Sequence, residues 1–415
     1  MPIGASTIPD LRLSRINKLV TMFDSAPNLV LSKMFGTTKA ASDTIKWESQ
    51  TGTRGVAPFM APGTKTPQTE PLGVAQHSAQ AAFIGEKMYL DEHFLNNLRK
   101  EGTESTYYAA KARLAKELRG LTFRNDRRRE WMFAKMLSAG SFSYLTKGST
   151  KISVNYGIPS SSIVTLGANY KWGTGGSADI LSDIRDAKIK IKEETDNSVN
   201  FCITTQTVLR YMIENSTVVD LFKANSFNKT SLMGKNASNQ LGINPAVIGQ
   251  LLDIPNFMIY DEKFTAKAWL TGAVTADSTV AISVNDTADF EVGGTLRFHD
   301  VSEDTYEEET ISAVSPEAGT VTVSTAPSTS YKAGEDVVTM TKTFIDNDLI
   351  VFGTTSVDGQ PIADFQAAPF GNARKYGQTA DSWETKDPEG VYIRVQDKGL
   401  PVLYFPSALY ILNVE

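Results

Sequence analysis

The chain of 415 residues contains a single cysteine, Cys202, which excludes any disulfide framework within it. Cys202 lies in the run VNFCIT, which reads as a buried strand where a thiol acts as a small apolar group. The three histidines, His77, His93 and His299, are far apart and have no cysteine or metal-spaced carboxylate pair beside them, so no zinc site is expected. There is no uninterrupted apolar run of about 18 residues and hence no membrane-spanning helix is expected. The N-terminus, MPIGASTIPDLRLSRINKLV, lacks an apolar stretch behind a basic start. No secretory signal is expected, and the chain reads as cytosolic when made. On that reading the N-x-S/T triplets at Asn215, Asn228, Asn236 and Asn285 are chance matches. Motifs of catalysis are missing too: no G-x-S-x-G, no GxxxxGK[ST], no H-E-x-x-H. The glycines from Gly173 to Gly176 lack the lysine of a phosphate loop and read as a turn. Asp261 and Glu262 follow a strand without a base or nucleophile beside them. The acidic loop Asp300–Asp304 lacks the glycine and ligand spacing of an EF-hand and reads as a solvated face. The net charge of −6 argues against a nucleic-acid polycation. The expectation is a protein that is not an enzyme and holds no cofactor or metal.

What is present is ordinary for a folded protein: 41% apolar and 21% charged residues, in a length that allows two or three domains. The chain is organised around Asp91 to Gly140. Thr103, Glu104 and Ser105 form a helix start, and Gly140 a stop. Good helix formers fill the interval with no proline. A helix from Glu104 to Leu137 would span roughly 50 Å at ~1.5 Å per residue. Its apolar stripe stops and restarts, with Leu114, Leu118 and Leu121 first, then Trp131, Met132, Met136 and Leu137. Between them FRNDRRRE is polar around most of its circumference, as in a helix that bridges domains or meets a partner. The plainer reading is a solvated charge run on an ordinary surface helix.

Ahead of this spine, residues 1–42 read as an extended arm with an amphipathic helix marked by Leu11, Leu13, Ile16, Leu19 and Val20. Residues 43–90 read as a long two-stranded projection, rich in glycine and proline around GTRGVAPFMAPG. Such a hairpin is only marginally stable alone, and is expected to gain order by lying on a neighbouring subunit. Beyond the spine, residues 176–263 alternate helices and strands in a compact α/β unit. Asp179 or Ser177 would cap its first helix, and Asn244 with Pro245 opens its last. Residues 264–344 shift to Thr, Val and Ser, with strand-like runs at Val280–Val284, Thr295–His299, Glu308–Val314, Thr320–Ser324 and Asp336–Thr341. These read as an inserted all-β unit. Without it, Ile254–Tyr260 and Asp348–Gly353 would be adjacent strands. Residues 345–378 are read as the return of the α/β unit and 379–415 as closing strands of the spine's own unit.

This order of parts resembles the major capsid proteins of tailed bacteriophages, the lambda-like capsid protein E family. The residues that carry the resemblance are Gly55-Val56-Ala57-Pro58-Phe59-Met60 in the hairpin and Arg127-Arg128-Arg129-Glu130-Trp131 in the spine. Ile180 to Glu194, Tyr260-Asp261, and Pro401 with its flanking strands add to it. The resemblance covers most of the chain outside 264–344. It implies an α+β capsid fold with an N-arm (1–42), extended loop (43–90), peripheral domain on the spine (91–175), axial domain (176–263, returning at 345–378) and peripheral strands (379–415). It implies a structural subunit that assembles into pentamers and hexamers around packaged double-stranded DNA, in the host cytoplasm, with scaffold, portal and decoration proteins as partners and no membrane. Candidate inter-subunit residues are Arg54, Phe59 and Met60 in the loop and Arg124, Arg127, Arg128, Arg129 and Trp131 in the spine. For the arginines, pairing with carboxylates within or between chains leads, ahead of transient contact with phosphate. Sequence-specific nucleic-acid recognition comes last, because no base-reading motif accompanies them. Two other classes stand beside the capsid reading: a virion surface adhesion module acting through 264–344, and a nucleic-acid enzyme using the arginines.

Overall fold

The computed structural model describes residues 11–23, 28–50, 59–60, 65, 74–98, 104–145, 151–174, 176–224, 244–287, 289–371, 374–386 and 389–415. Most of the projection, Arg54 included, lies outside the described residues. The spine is one helix, Glu104–Ala139, of 36 residues, about 54 Å long. It ends at Gly140, whose φ of +64° favours glycine and whose added Cβ would come within 2.9 Å of the Ile158 side chain.

The interrupted stripe has a physical explanation. Leu114, Leu118 and Leu121 enter one core, with Leu11 of the arm, Ile16 and Val20 of the arm helix Leu13–Met22, and Leu90, Val391 and Ile393. Trp131, Met132, Met136 and Leu137 enter another, with Leu31, Phe35, Phe142 and Phe365. The spine thus bridges two cores of its own chain. The polar segment between them is largely interior: Asn125, Asp126 and Glu130 are buried. The plainer reading of a solvated charge run is corrected here, because the chain folds its own carboxylates and amides onto the segment.

Two sheets flank the spine. The first runs in the order Gly36–Lys39, Ala363–Ala367, Glu389–Leu403, Thr379–Lys386, and Ala82–Asp91 also pairs along Glu389–Leu403. Alternation in these strands puts Val391, Ile393 and Val395 against the helices and Tyr392 and Arg394 on the other face. The second sheet has the order Ile163–Thr165, Leu409–Asn413, Leu349–Gly353, Phe201–Thr204, Asn256–Ile259. Helices Ile180–Thr195, Gln206–Glu214 and Pro245–Leu252 pack on it around Ile184, Val208, Ile248 and the buried Cys202. Their starts carry side-chain caps: Asp179 accepts from Ser182 N, Thr205 from Val208 N and Asn244 from Ala246 N. Asp261 also accepts from Gln206 N, at 3.0 Å, at the first residue of its helix.

Three boundary expectations change. Asn256–Ile259 and Leu349–Gly353 are not neighbours, because Phe201–Thr204 lies between them. It pairs parallel with the former, as strands joined by a helical crossover do, and antiparallel with the latter. Ala363–Ala367, expected in the returning α/β unit, joins the first sheet. Leu409–Asn413, expected with the spine's unit, joins the second. In each case the partner strand is distant in sequence, and local pattern carries no register for it.

Residues 263–343 form a six-stranded sheet in the order Lys263–Trp269, Val337–Thr343, Thr295–Asp300, Thr305–Ser315, Thr320–Val323, Ala281–Ser283. A bridge between Leu270 and Val284 brings the two edges together. The first of these strands is one more than the sequence runs indicated, although its burial alternates perfectly. This sheet's core, around Leu296, Phe298 and Met340, is continuous with the spine's through Phe264, Phe344 and Tyr260. A two-stranded hairpin, Thr44–Ser49 with Ala75–Gln80, roots the projection beside Tyr156 through Trp47.

Candidate functional site

The polar middle of the spine is where the parts meet. Arg124 reaches Glu86 of the first sheet at 2.6 Å. Both partners are largely solvated, so the pair contributes at most about 1 kcal/mol. Arg128 forms a two-pronged pair with Asp289 of the six-stranded unit and lies over the Trp131 ring. Arg129 Nε donates to the fully buried Asp397 of the first sheet, and its guanidinium lies 4.6 Å from the Phe365 ring centre. One turn and a half further on, Lys135 meets Glu291 at 2.8 Å, and Lys342 bonds the same carboxylate at 2.5 Å. Asp289 and Glu291 therefore clamp one segment of the six-stranded unit onto Arg128 and Lys135, which share a helix face at seven-residue spacing.

Buried carboxylates complete the junction. Glu130 accepts from the backbone N–H of Leu31 and Ser32, both at 2.8 Å, and from the Tyr260 hydroxyl at 2.6 Å. Burial and this acidic neighbour push the Tyr260 pKa far up, so its proton stays to donate. Burial also raises the Asp126 pKa, against the pull of Arg129 and a hydrogen bond from Gln378. For Glu291, burial works upward but Lys135 and Lys342 outweigh it and hold the pKa below the ordinary carboxylate value.

Of the candidate contact residues, Arg124, Arg128 and Arg129 thus meet carboxylates of their own chain. Trp131 is a core residue, edge-to-face with Phe142 at 5.5 Å, and offers no surface to a neighbour. Arg127 is exposed and has no ion pair among the described residues. Phe59 is fully exposed and Met60 is 45% exposed. The partners Glu86, Asp289, Glu291 and Asp397 were not singled out in the sequence; Glu86 lies 38 residues before Arg124, and the other three sit more than 150 residues from their spine partners. Among the described residues no group of three or more His, Cys, Asp or Glu side chains is placed to hold a metal, and no helix is long and apolar enough to cross a membrane. His77 stacks on Trp47, and His299 pairs with Asp304 at 3.0 Å.

Residues 14–292 match the family described as phage major capsid protein E. The chain belongs to that family. Its place is the phage capsid, as a structural protein of the shell. The fold agrees. A crystal structure described as the capsid protein of a prophage of Escherichia coli CFT073 superposes with a TM-score of 0.54 at 12% identity, covering 97% of this chain and 99% of that one. A phage-related protein from Bordetella bronchiseptica RB50 covers 100% of this chain and 98% of its own at a TM-score of 0.48 and 9% identity. No curated protein matches the sequence. The family match ends just past Asp289 and Glu291, so this capsid protein carries its clamp inside the matched region and most of the six-stranded unit beyond it.

Two predictions concern that clamp. Arg128→Glu sets a carboxylate against Asp289 and is expected to cost about 2 kcal/mol. Proteolysis should then open the 286–292 segment with helix content unchanged, and adding Asp289→Arg should restore resistance. If the double variant is cut as fast as the single one, the pair does not hold the segment. The second is acid sensitivity. A carboxylate whose folded pKa is depressed contributes stability above its unfolded pKa, near 4.3, and loses it as pH falls through the folded value. Hydrogen exchange in 289–294 should therefore accelerate below about pH 4, and Glu291→Gln should exchange fast at neutral pH already.

Proposed function

We propose that the chain is the subunit of a closed icosahedral head shell, packing as pentamers and hexamers around double-stranded DNA. The observation that carries this is a two-stranded root, Thr44–Ser49 with Ala75–Gln80, and beyond it the exposed Phe59, which finds no cover among the described residues. A solvated phenylalanine of this kind is best satisfied by a neighbouring copy, and symmetry repeats the contact around the shell. Phe59 and Met60 are the inter-subunit residues of this reading. The first sheet with the spine serves as the peripheral unit and the second as the axial unit. The six-stranded unit is an insertion facing outward: residues 263–343 carry thirteen Asp and Glu against five Lys and Arg, and packaged DNA would repel it. Assembly takes place in the bacterial cytoplasm with scaffold and portal proteins.

Light scattering and negative-stain microscopy of the purified chain test this. Rings, shells or tubes are expected, and Phe59→Asp should shift the population toward free subunits. A chain that stays monomeric at high concentration, with or without that substitution, would sink the proposal.

A further inference from the structure

The six-stranded unit leaves one sheet face uncovered. Along Lys263–Trp269 every second residue is buried and those between are exposed. The pairing registers carry this face across four strands, in three rows. Thr265, Thr341, Thr295 and Thr310 make a row of exposed hydroxyls. Lys267, Thr339, Arg297 and Glu308 make the next, and Trp269, Val337, His299 and Tyr306 the third. Leu296, Phe298 and Met340 point the other way, into the core. Lys342, which bonds Glu291 beside the spine, is out of phase with the three rows, so the face stays open when the unit is seated.

The third row is an apolar shelf. Trp269 is 45% and Tyr306 51% exposed, and Val337, between Trp269 and His299 in register, is buried. His299 stacks on Tyr306 at 4.4 Å. Arg297 is engaged within the face, pairing with Glu308 at 3.0 Å and lying 4.5 Å from the Tyr306 ring centre. Lys267 is not. Its Nζ lies 5.3 Å from the Trp269 ring centre, and it forms no ion pair among the described residues. The unit is acidic, yet three of its five cations, Lys263, Lys267 and Arg297, lie on this face.

Size and chemistry decide what fits. At ~4.8 Å between strands and ~3.4 Å per residue the three rows cover roughly 200 Å², against about 800 Å² per partner in a standard protein interface. A protein partner also wants an apolar centre, whereas this face offers hydroxyls, one aromatic shelf and a cation. A sugar ring matches it. Its C–H face lies on an indole, and its hydroxyls bond threonine side chains. A carboxylate on that ring, seated on Trp269, comes beside Lys267. We infer that this outer face of the inserted unit binds a polyuronate, a polysaccharide of carboxylated sugars, with Trp269 carrying a ring and Lys267 its carboxylate. The inference rests on the shell reading above for its outward position. One face binds weakly, and the many copies of a shell make the attachment firm.

Electrophoresis of the full-length chain through native gels holding alginate, polygalacturonate or hyaluronate tests the face whether or not shells form. At least one of the three should retard the chain. Dextran, which is uncharged, and polyglutamate, which has no sugar rings, should retard it less. Trp269→Ala should weaken polyuronate binding more than about tenfold, and Lys267→Gln by roughly threefold at low salt. No retardation by any of the three overturns the inference. So does retardation by polyglutamate as strong as by the best polyuronate, which would hand the face to an acidic protein. Circular dichroism identifies a misfolded Trp269→Ala chain, and then the exposed Lys267 decides: unchanged retardation of Lys267→Gln overturns the inference. Where shells form, they should pellet with beads coated in the polyuronate that retards the free chain. Shells that ignore those beads place the face inward or under a neighbour and overturn the inference. Failure of the chain to assemble defeats the shell reading and leaves the gels to judge the face.

Discussion

Asp397→Ala is expected to destabilise the chain by about 3–5 kcal/mol, the range for removing one partner of a buried ion pair. Asp397 has no exposed side-chain surface, and Arg129 retains only 19%. Without the carboxylate, the guanidinium is left inside the junction between spine and first sheet beside the Phe365 ring, with the buried Asp126 as a remaining acidic neighbour. The loss is mainly the penalty of an uncompensated charge, so it should be recoverable. Adding Arg129→Leu removes the charge and keeps apolar volume against Phe365. The double variant should therefore unfold at a higher urea concentration than Asp397→Ala alone. If it is the less stable of the two, the pair's attraction is not what holds the spine to Glu389–Leu403.

This pair shows where sequence reading stops. Helix limits are local facts. The stop at Gly140 rests on glycine's access to positive φ, and the caps at Asp179 and at Asn244 ahead of Pro245 rest on side chains within a few residues of the backbone they satisfy. The two apolar stripes of the spine were legible for the same reason. Their destinations were not, because Leu114 and Met132 go to different cores built from strands hundreds of residues downstream. The polar segment was misread in one respect. Periodicity counts a polar residue as solvated, yet Asn125, Asp126 and Glu130 are buried, since Gln378, Leu31, Ser32 and Tyr260 supply hydrogen bonds from elsewhere in the chain. Sheet order failed similarly: nothing in Leu349–Gly353 says that Phe201–Thr204 will come between it and Asn256–Ile259. The resemblance to capsid proteins survived these errors because it rested on the order of parts along the chain.

Glu130→Ala is the second large effect expected. The side chain is fully buried, and each of its oxygens has work. Oε1 takes the Leu31 N–H and the Tyr260 hydroxyl, and Oε2 takes the Ser32 N–H. The arm's short helix Leu31–Met34 has no side-chain cap of its own, with Val30 at the capping position. Glu130 acts as its cap from 98 residues away. It ties the arm, the spine and the strand end before the six-stranded unit at one point. Alanine leaves two N–H groups and a hydroxyl unsatisfied, at about 1–3 kcal/mol each. Removing a buried carboxylate also relieves its desolvation, so a net loss of about 4 kcal/mol is expected. Tyr260→Phe removes one donor only and should cost about 1 kcal/mol. The two are separated by place as well as size. In Glu130→Ala, the amides of Leu31 and Ser32 should lose hydrogen-exchange protection and Phe35 should leave its stack on Phe133, now at 5.6 Å. In Tyr260→Phe the arm should stay docked. Leu31 and Ser32 amides that remain as protected in Glu130→Ala as in the unaltered chain would mean that the arm is held by its apolar contacts alone, and that Glu130 is not its anchor.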